Sequence, residues 1–127
     1  MSRDVVTSGF QDSFGNWHTV YEYEGKRHPS SERFHEVLRV IGETHDLKSK
    51  DYGRTDDPFA NVRGSTEWGM PAWMGAMIRA TDKLRRLQTY ALKGELANES
   101  VRDAFIDLAC YSAIGLVLFE EEKEANP

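Results

Sequence analysis

Two carboxylates four residues apart, Asp103 and Asp107, stand in a stretch that is otherwise almost wholly apolar as far as Phe119. On a helix, positions i and i+4 share a face, and Glu99 extends that stripe one turn back. An acid inside an apolar helix is costly unless a metal, a cation or hydrogen-bond donors compensate it. Aligned acids suit a hard divalent cation, Mg²⁺ above all, with carboxylates as ligands and phosphates completing the shell. For Glu99 and Asp103 the competing explanation is the helix start, where the dipole and capping favour negative charge. Asp107 lies too deep for that. Its alternative is a buried salt bridge to an arginine or lysine of the preceding helix.

A second cluster is Arg79, Asp82, Lys83 and Arg86, spaced i, i+3, i+4 and i+7 and so on one helical face. Its cations could hold phosphate oxygens while Asp82 ligates a metal. The alternative is a set of ion pairs within a solvated helix. A third is the run Lys48-Ser49-Lys50-Asp51-Tyr52-Gly53, where lysines also suit a helix end. Glu36 and Glu43, two turns apart on the first helix, are further ligand candidates, though exposed helical glutamates are common.

Other chemistries lack their motifs. The histidines at 18, 28, 35 and 45 have no zinc spacing. No phosphate-binding G-x-x-x-x-G-K-[ST] loop and no G-x-S-x-G elbow occurs. Cys110 reads as a small buried hydrophobe rather than a nucleophile. Phe59 and Trp68 could stack on a base or pin a loop to the core.

These residues need elements to position them. Residues 1 to about 28 read as a β-hairpin. His18, Val20 and Glu22 alternate with Trp17, Thr19, Tyr21 and Tyr23, Val5 to Phe10 suits a shorter strand, and Asp12 to Asn16 supplies the turn. Such a hairpin is marginal alone and must pack on helices or another subunit. A first helix opens at Pro29-Ser30-Ser31-Glu32 with a serine cap, carries Phe34, Val37, Leu38 and Ile41 at helical spacing, and runs to about Lys50. Gly53 to Gly69 has no helical or strand period, and a connection this long is more often functional than idle. A second helix runs from Pro71 to Gly94 with a buried stripe of Trp73, Met77, Ala80, Leu84, Leu87 and Ala91. A third starts at Asn98-Glu99-Ser100, continues to about Glu122 and is apolar nearly all round, so it should be central or at a subunit interface. The expected fold is mainly α: a three-to-four-helix bundle over residues 29–127 with an N-terminal β-hairpin arm over 1–28, assembled as a homo-oligomer.

The whole chain sets bounds. Its 127 residues make one domain. Apolar content of 39% and charged content of 29% suit a globular chain rather than a disordered one. A net charge of −5 argues against a general duplex nucleic-acid surface, but a local cationic cluster still suits a small anion. One cysteine allows no intrachain disulfide. Met1 to Phe10 lacks a secretory pattern, and Leu108 to Phe119 is too short to span a bilayer. A cytoplasmic protein without a membrane partner is expected.

In order and spacing, Lys50-Asp51-Tyr52-Gly53, Arg79-x-x-Asp82-Lys83-x-x-Arg86 and Glu99-Ser100-x-x-Asp103-x-x-x-Asp107-Leu108-Ala109-x-Tyr111 resemble the phage and bacterial nucleotide modification associated domain 1 family. That family looks like a distant relative of the MazG-type all-α nucleoside triphosphate pyrophosphohydrolases. The resemblance covers roughly residues 33 to 119 and leaves the hairpin outside it. It implies a helical core, oligomerisation and a nucleotide-related role, in the bacterial host cytoplasm if phage-encoded. In MazG-type enzymes helix-borne acids hold Mg²⁺ on a triphosphate, and attack by water releases pyrophosphate. Carried over, Asp82, Asp103 and Asp107 are the metal-side and catalytic acids. Lys50, Arg79, Lys83 and Arg86 are phosphate-side cations, with Tyr52 and Tyr111 as neighbouring ligand contacts. The chain departs from MazG in lacking its paired-glutamate motif on the first helix, since Glu36 and Glu43 have a different spacing. The resemblance therefore carries nucleotide binding further than hydrolysis. Three functions follow: a Mg²⁺-dependent pyrophosphohydrolase, a non-catalytic binder of a nucleotide or cyclic-nucleotide signal that a phage could use against host defence, or a structural oligomer whose polar stripes are interhelical salt bridges.

Overall fold

The computed structural model describes residues 4–23, 27–52 and 57–126. It is mainly helical, with a two-stranded hairpin at the N-terminus. Strands β1 (Asp4–Gln11) and β2 (Trp17–Tyr23) pair antiparallel, Gln11 facing Trp17 and Phe10 facing His18, with an irregularity between Val6 and Ser8. The first strand is thus longer than the Val5–Phe10 segment expected.

Asp12 organises the turn. Its carboxylate accepts from the Phe14 and Asn16 N–H groups and lies 2.8 Å from His18 Nε2. The His18 contact, followed by these amide donors, lowers the Asp12 pKa to about 2. Gly15 supplies the φ of 88° that the turn requires.

Helix α1 spans Pro29–Tyr52. Its cap is His28, not a serine. The His28 carbonyl accepts from Ser31 and Glu32 N–H, and its Nδ1 accepts from Ser30 N–H at 3.1 Å. Pro29, which has no N–H to satisfy, fits the first turn.

The connection expected to be irregular instead folds partly into helix. The Asp57 carboxylate accepts from Phe59 N–H at 3.0 Å, and the Phe59 carbonyl then accepts from Val62 and Arg63. This opens a single turn, α2 (Ala60–Arg63), and a 3₁₀ turn follows over Gly64–Trp68. Elements this short carry no readable period, and burial of Val62 against the long helices holds them in place. Gly53 and Asp56 lie outside the described residues.

Helix α3 (Ala72–Lys93) begins after Pro71 and ends at Gly94, whose φ of 77° closes the helix with an N–H donated to the Tyr90 carbonyl. Helix α4 (Val101–Ala125) is capped by Ser100, whose Oγ accepts from Asp103 N–H at 3.0 Å.

The tightest packing is α3 on α4, with α1 laid against α4. Small residues permit it. Ala76, Ala80 and Ala104 are buried at the contact, and Val62, Ala76 and Leu118 form the core centre with Phe59, Trp73, Met77, Tyr111 and Ile114 around them. A methyl group on Gly75 would fall on the Val62 carbonyl and Ser65 Oγ, so Gly75 is what lets α2 approach α3.

The expected buried stripe of α3 is corrected, because Leu84 and Ala91 are exposed; Phe34, Val37 and Leu38, the residues at helical spacing on α1, are exposed as well. Helix α4 is apolar on both sides, but its outer residues Phe105, Leu116 and Phe119 meet solvent in the single chain. Among the described residues no helix is long and apolar enough to cross a membrane.

Candidate functional site

Three helices meet at Asp107, which is 5% exposed. Its Oδ1 accepts from Lys48 Nζ of α1 at 2.6 Å, and its Oδ2 lies 3.0 Å from Lys83 Nζ of α3. Lys83 also donates to Glu99 Oε1 at 3.1 Å, and Glu99 Oε2 lies 2.8 Å from Arg86 Nε. The result is a chain of alternating charge, Lys48, Asp107, Lys83, Glu99, Arg86, with three cations to two carboxylates. Its centre is buried. Its ends are open, with the Lys48 and Arg86 side chains 44% and 46% exposed.

Burial alone would raise the Asp107 pKa. The hydrogen bonds and charges of Lys48 and Lys83 outweigh it and hold the carboxyl below its ordinary value. Burial would likewise lower Lys83, but Asp107 and Glu99 hold its ammonium above the ordinary lysine range. Both partners are therefore fixed in their charged forms at neutral pH.

The helix spacings explain the chain. Lys83 and Arg86, three apart on α3, point to the same side. Glu99 stands before the Ser100 cap and is not a helical residue, so the three acids do not form one stripe. Asp103 is exposed in the first turn, the position that a capping and dipole role alone would give it. Asp82 is also exposed. Among the described residues neither Asp82 nor Asp103 makes an ion pair, and no group of three or more His, Cys, Asp and Glu is placed to share a metal. Both Asp107 oxygens already face ammonium groups, so a cation there must displace a lysine.

The remaining candidates divide. Lys83 and Arg86 are in the ionic chain. The Arg79 guanidinium lies 5.9 Å from the centroid of the Tyr111 ring, a cation–π contact. Lys50 is exposed at the end of α1, and the side chain of Tyr52 lies outside the described residues. Lys48, not Lys50, is the α1 lysine that reaches Asp107. Sequence did hold the signal: Ile41, His45 and Lys48 follow at i, i+4 and i+7, continuing the apolar face of α1 towards α4, whereas Lys50 falls off it.

Beside Asp107 runs a cleft between α1, α4 and the turn that starts α2. Lys48, Asn61 and Asp107 line its polar end, His45, Phe59 and Tyr111 supply aromatic walls, and the cleft as a whole has a volume of about 40 Å³. It leads into an apolar groove of about 200 Å³ lined by Ile41, Ala113, Ile114 and Val117. Phe59 packs on the core and lies 5.6 Å from the His45 ring, whereas Trp68 is 84% exposed. Arg63 pins this wall, bonding the Asp57 carboxylate at 2.8 Å and Glu121 of α4 at 2.9 Å. Cys110 lies beneath. Its thiol is pushed up by burial and then by the Asp107 charge, and its Sγ donates to the Ile41 carbonyl, so it packs as a hydrophobe and is a poor nucleophile.

Compared with known proteins, the chain matches no family model, no curated sequence and no solved structure.

Proposed function

We propose that this chain binds a nucleotide at the junction of α1, α3 and α4, and that binding rather than hydrolysis is its primary act. The observation that carries the reading is the ionic chain centred on Asp107. It has a surplus cation, its open ends are Lys48 and Arg86, and its Lys48 end adjoins a cleft with aromatic walls and an amide. A phosphate meets the half-exposed ammonium of Lys48. A base has ring faces at Phe59 and Tyr111 and a hydrogen-bonding edge at Asn61.

The charges of Asp107 and Glu99 are already matched by cations, which favours a preorganised anion site over an acid cluster that needs a metal to neutralise it. The hydrolytic reading assigns Mg²⁺ to Asp82, Asp103 and Asp107, and it is the second arm of the test.

The experiment is a thermal-shift panel of nucleoside mono- and triphosphates and cyclic nucleotides, with and without Mg²⁺, on the wild type and Lys48→Met. Ligands that bind the native state raise the melting temperature by mass action. The expected result is a shift without Mg²⁺ that Lys48→Met abolishes. No shift with any nucleotide refutes the proposal. A shift that needs Mg²⁺, with pyrophosphate released above an Asp103→Asn, Asp107→Asn control, replaces binding with hydrolysis.

A further inference from the structure

We propose that the cavity between the last turns of α3 and the connection to α4 binds a small phosphate ester, whose dianionic phosphate Arg85, Arg86 and Lys93 hold. The cavity is separate from the cleft beside Asp107, since no residue lines both. The inference is therefore independent of what that cleft binds.

Gly94 makes the cavity. Its φ of 77° ends α3 and turns the chain back on the helix it has just left. Arg85, Arg86 and Lys93 line the helical side, and Glu95 and Asn98 of the connection line the other. The space is about 350 Å³, within the range of about 300–1,000 Å³ that small-molecule sites occupy.

Charge names the occupant. Three cations meet one acid here, in a chain whose net charge is −5. Arg86 and Lys93 are seven apart on α3 and so share a face. Arg86 meets Glu99 through Nε at 2.8 Å. A guanidinium has five N–H donors, and among the described residues the two terminal nitrogens of Arg86 make no ion pair. Arg85 donates from Nη1 to Gln88, a neutral partner, at 3.0 Å. Lys93 and Glu95 line the same cavity, yet among the described residues no ion pair joins them. A helix end accounts for Lys93, because a cation there suits the dipole. That effect fades within the last turn and does not reach Arg85 or Arg86.

The surplus positive charge favours a dianion over a monovalent anion. A guanidinium edge matches two phosphate oxygens, an ammonium supplies a point charge, and the Asn98 amide adds a neutral donor. Among the described residues no aromatic side chain lines the cavity, so a base finds no ring face here as it does at Phe59. The fitting ligand is a phosphate ester with a small polar or aliphatic body rather than a nucleotide.

The test is titration of inorganic phosphate, then glycerol 3-phosphate, into the full chain, followed by melting temperature and heteronuclear NMR. The control is chloride at equal ionic strength, which matches the screening of surface charge. Phosphate is expected to raise the melting temperature above the control and to shift the Asn98 side-chain amide saturably, with the ester binding at least as tightly. Arg85→Gln/Lys93→Gln should weaken binding at least about 10-fold, as loss of charge-assisted hydrogen bonds does. Glu95→Gln should strengthen it, because the opposing charge is gone. A phosphate sample that melts with the chloride control and leaves Asn98 unshifted overturns the site, as does a double variant with wild-type affinity. Shifts confined to residues around Lys48 and Asp107 also overturn it, since they put phosphate in the other cleft. Arg85 and Lys93 are exposed, so their replacement leaves the core intact, and the Asn98 resonance decides in the wild type by itself.

Discussion

Replacing Asp107 with asparagine removes a charge that two lysines from two different helices share. Removing one partner of a buried ion pair costs about 3–5 kcal/mol when the other is left stranded. Here neither lysine is fully stranded. Lys83 keeps Glu99, and Lys48 is 44% exposed and turns to water. The expected loss is therefore about 2–3 kcal/mol, below that range. For a chain of this size it lowers the melting temperature by about 6–12 °C.

The pH dependence supplies a sharper signature. The folded Asp107 titrates below its ordinary value, so the unfolded chain binds the proton more readily. Its stabilisation is complete above the unfolded carboxylate pKa of about 4 and is lost as pH falls through the lower folded value. Lys83 is raised, so its share is complete below the unfolded lysine pKa of about 10.4 and is lost as pH rises through the higher folded value. Wild type and Asp107→Asn should thus differ most between these limits and converge in acid. The assay is urea unfolding across pH, with Lys83→Met and the double variant completing a cycle. The two losses should fall short of additive by at least about 1 kcal/mol, because both variants break the same contact. An Asp107→Asn protein within about 0.5 kcal/mol of wild type at neutral pH refutes the ionic chain as a stabilising centre.

Two other outcomes follow from packing. Gly75→Ala should destabilise by about 1–3 kcal/mol, because the new methyl group meets backbone at Val62, whereas Gly115→Ala meets only the mobile end of Met77 and should be near neutral; calorimetry separates the pair. Cys110 should resist a thiol reagent in the native protein and react only on unfolding, and labelling at the rate of a free thiol would contradict its burial and raised pKa.

What the chain's residues announced, and what they did not, divides along physical lines. Pro71, Gly94 and Ser100 marked helix ends because each satisfies or spares particular backbone groups, and those signals are local. The alternating strand at Trp17–Tyr23 was legible for the same reason. Asp107 stood out as an acid among apolar neighbours, and both its metal-ligand reading and its salt-bridge alternative were visible in sequence. Folding joined it to Lys83 of the preceding long helix. It also brought Lys48 from 59 residues away, a partner that depends on which face α1 turns to α4.

Other features needed the assembled fold. The single turn of α2 has no period of its own and exists because Val62 is buried against α3. Glu99 and Asp103 looked equivalent by spacing, yet Ser100 takes the cap between them, leaving Glu99 outside the helix to meet Lys83 and Arg86 while Asp103 faces water. The stripe on α1 has a helical period but finds no cover within one chain, since periodicity names an apolar face without naming what packs on it. Sequence thus determined the three long helices, the ends marked by Pro71, Gly94 and Ser100, and the acid among apolar neighbours, all set by interactions within a few residues. Tertiary structure decided which cations neutralise that acid and which apolar faces stay open, because both depend on distances between segments far apart in the chain.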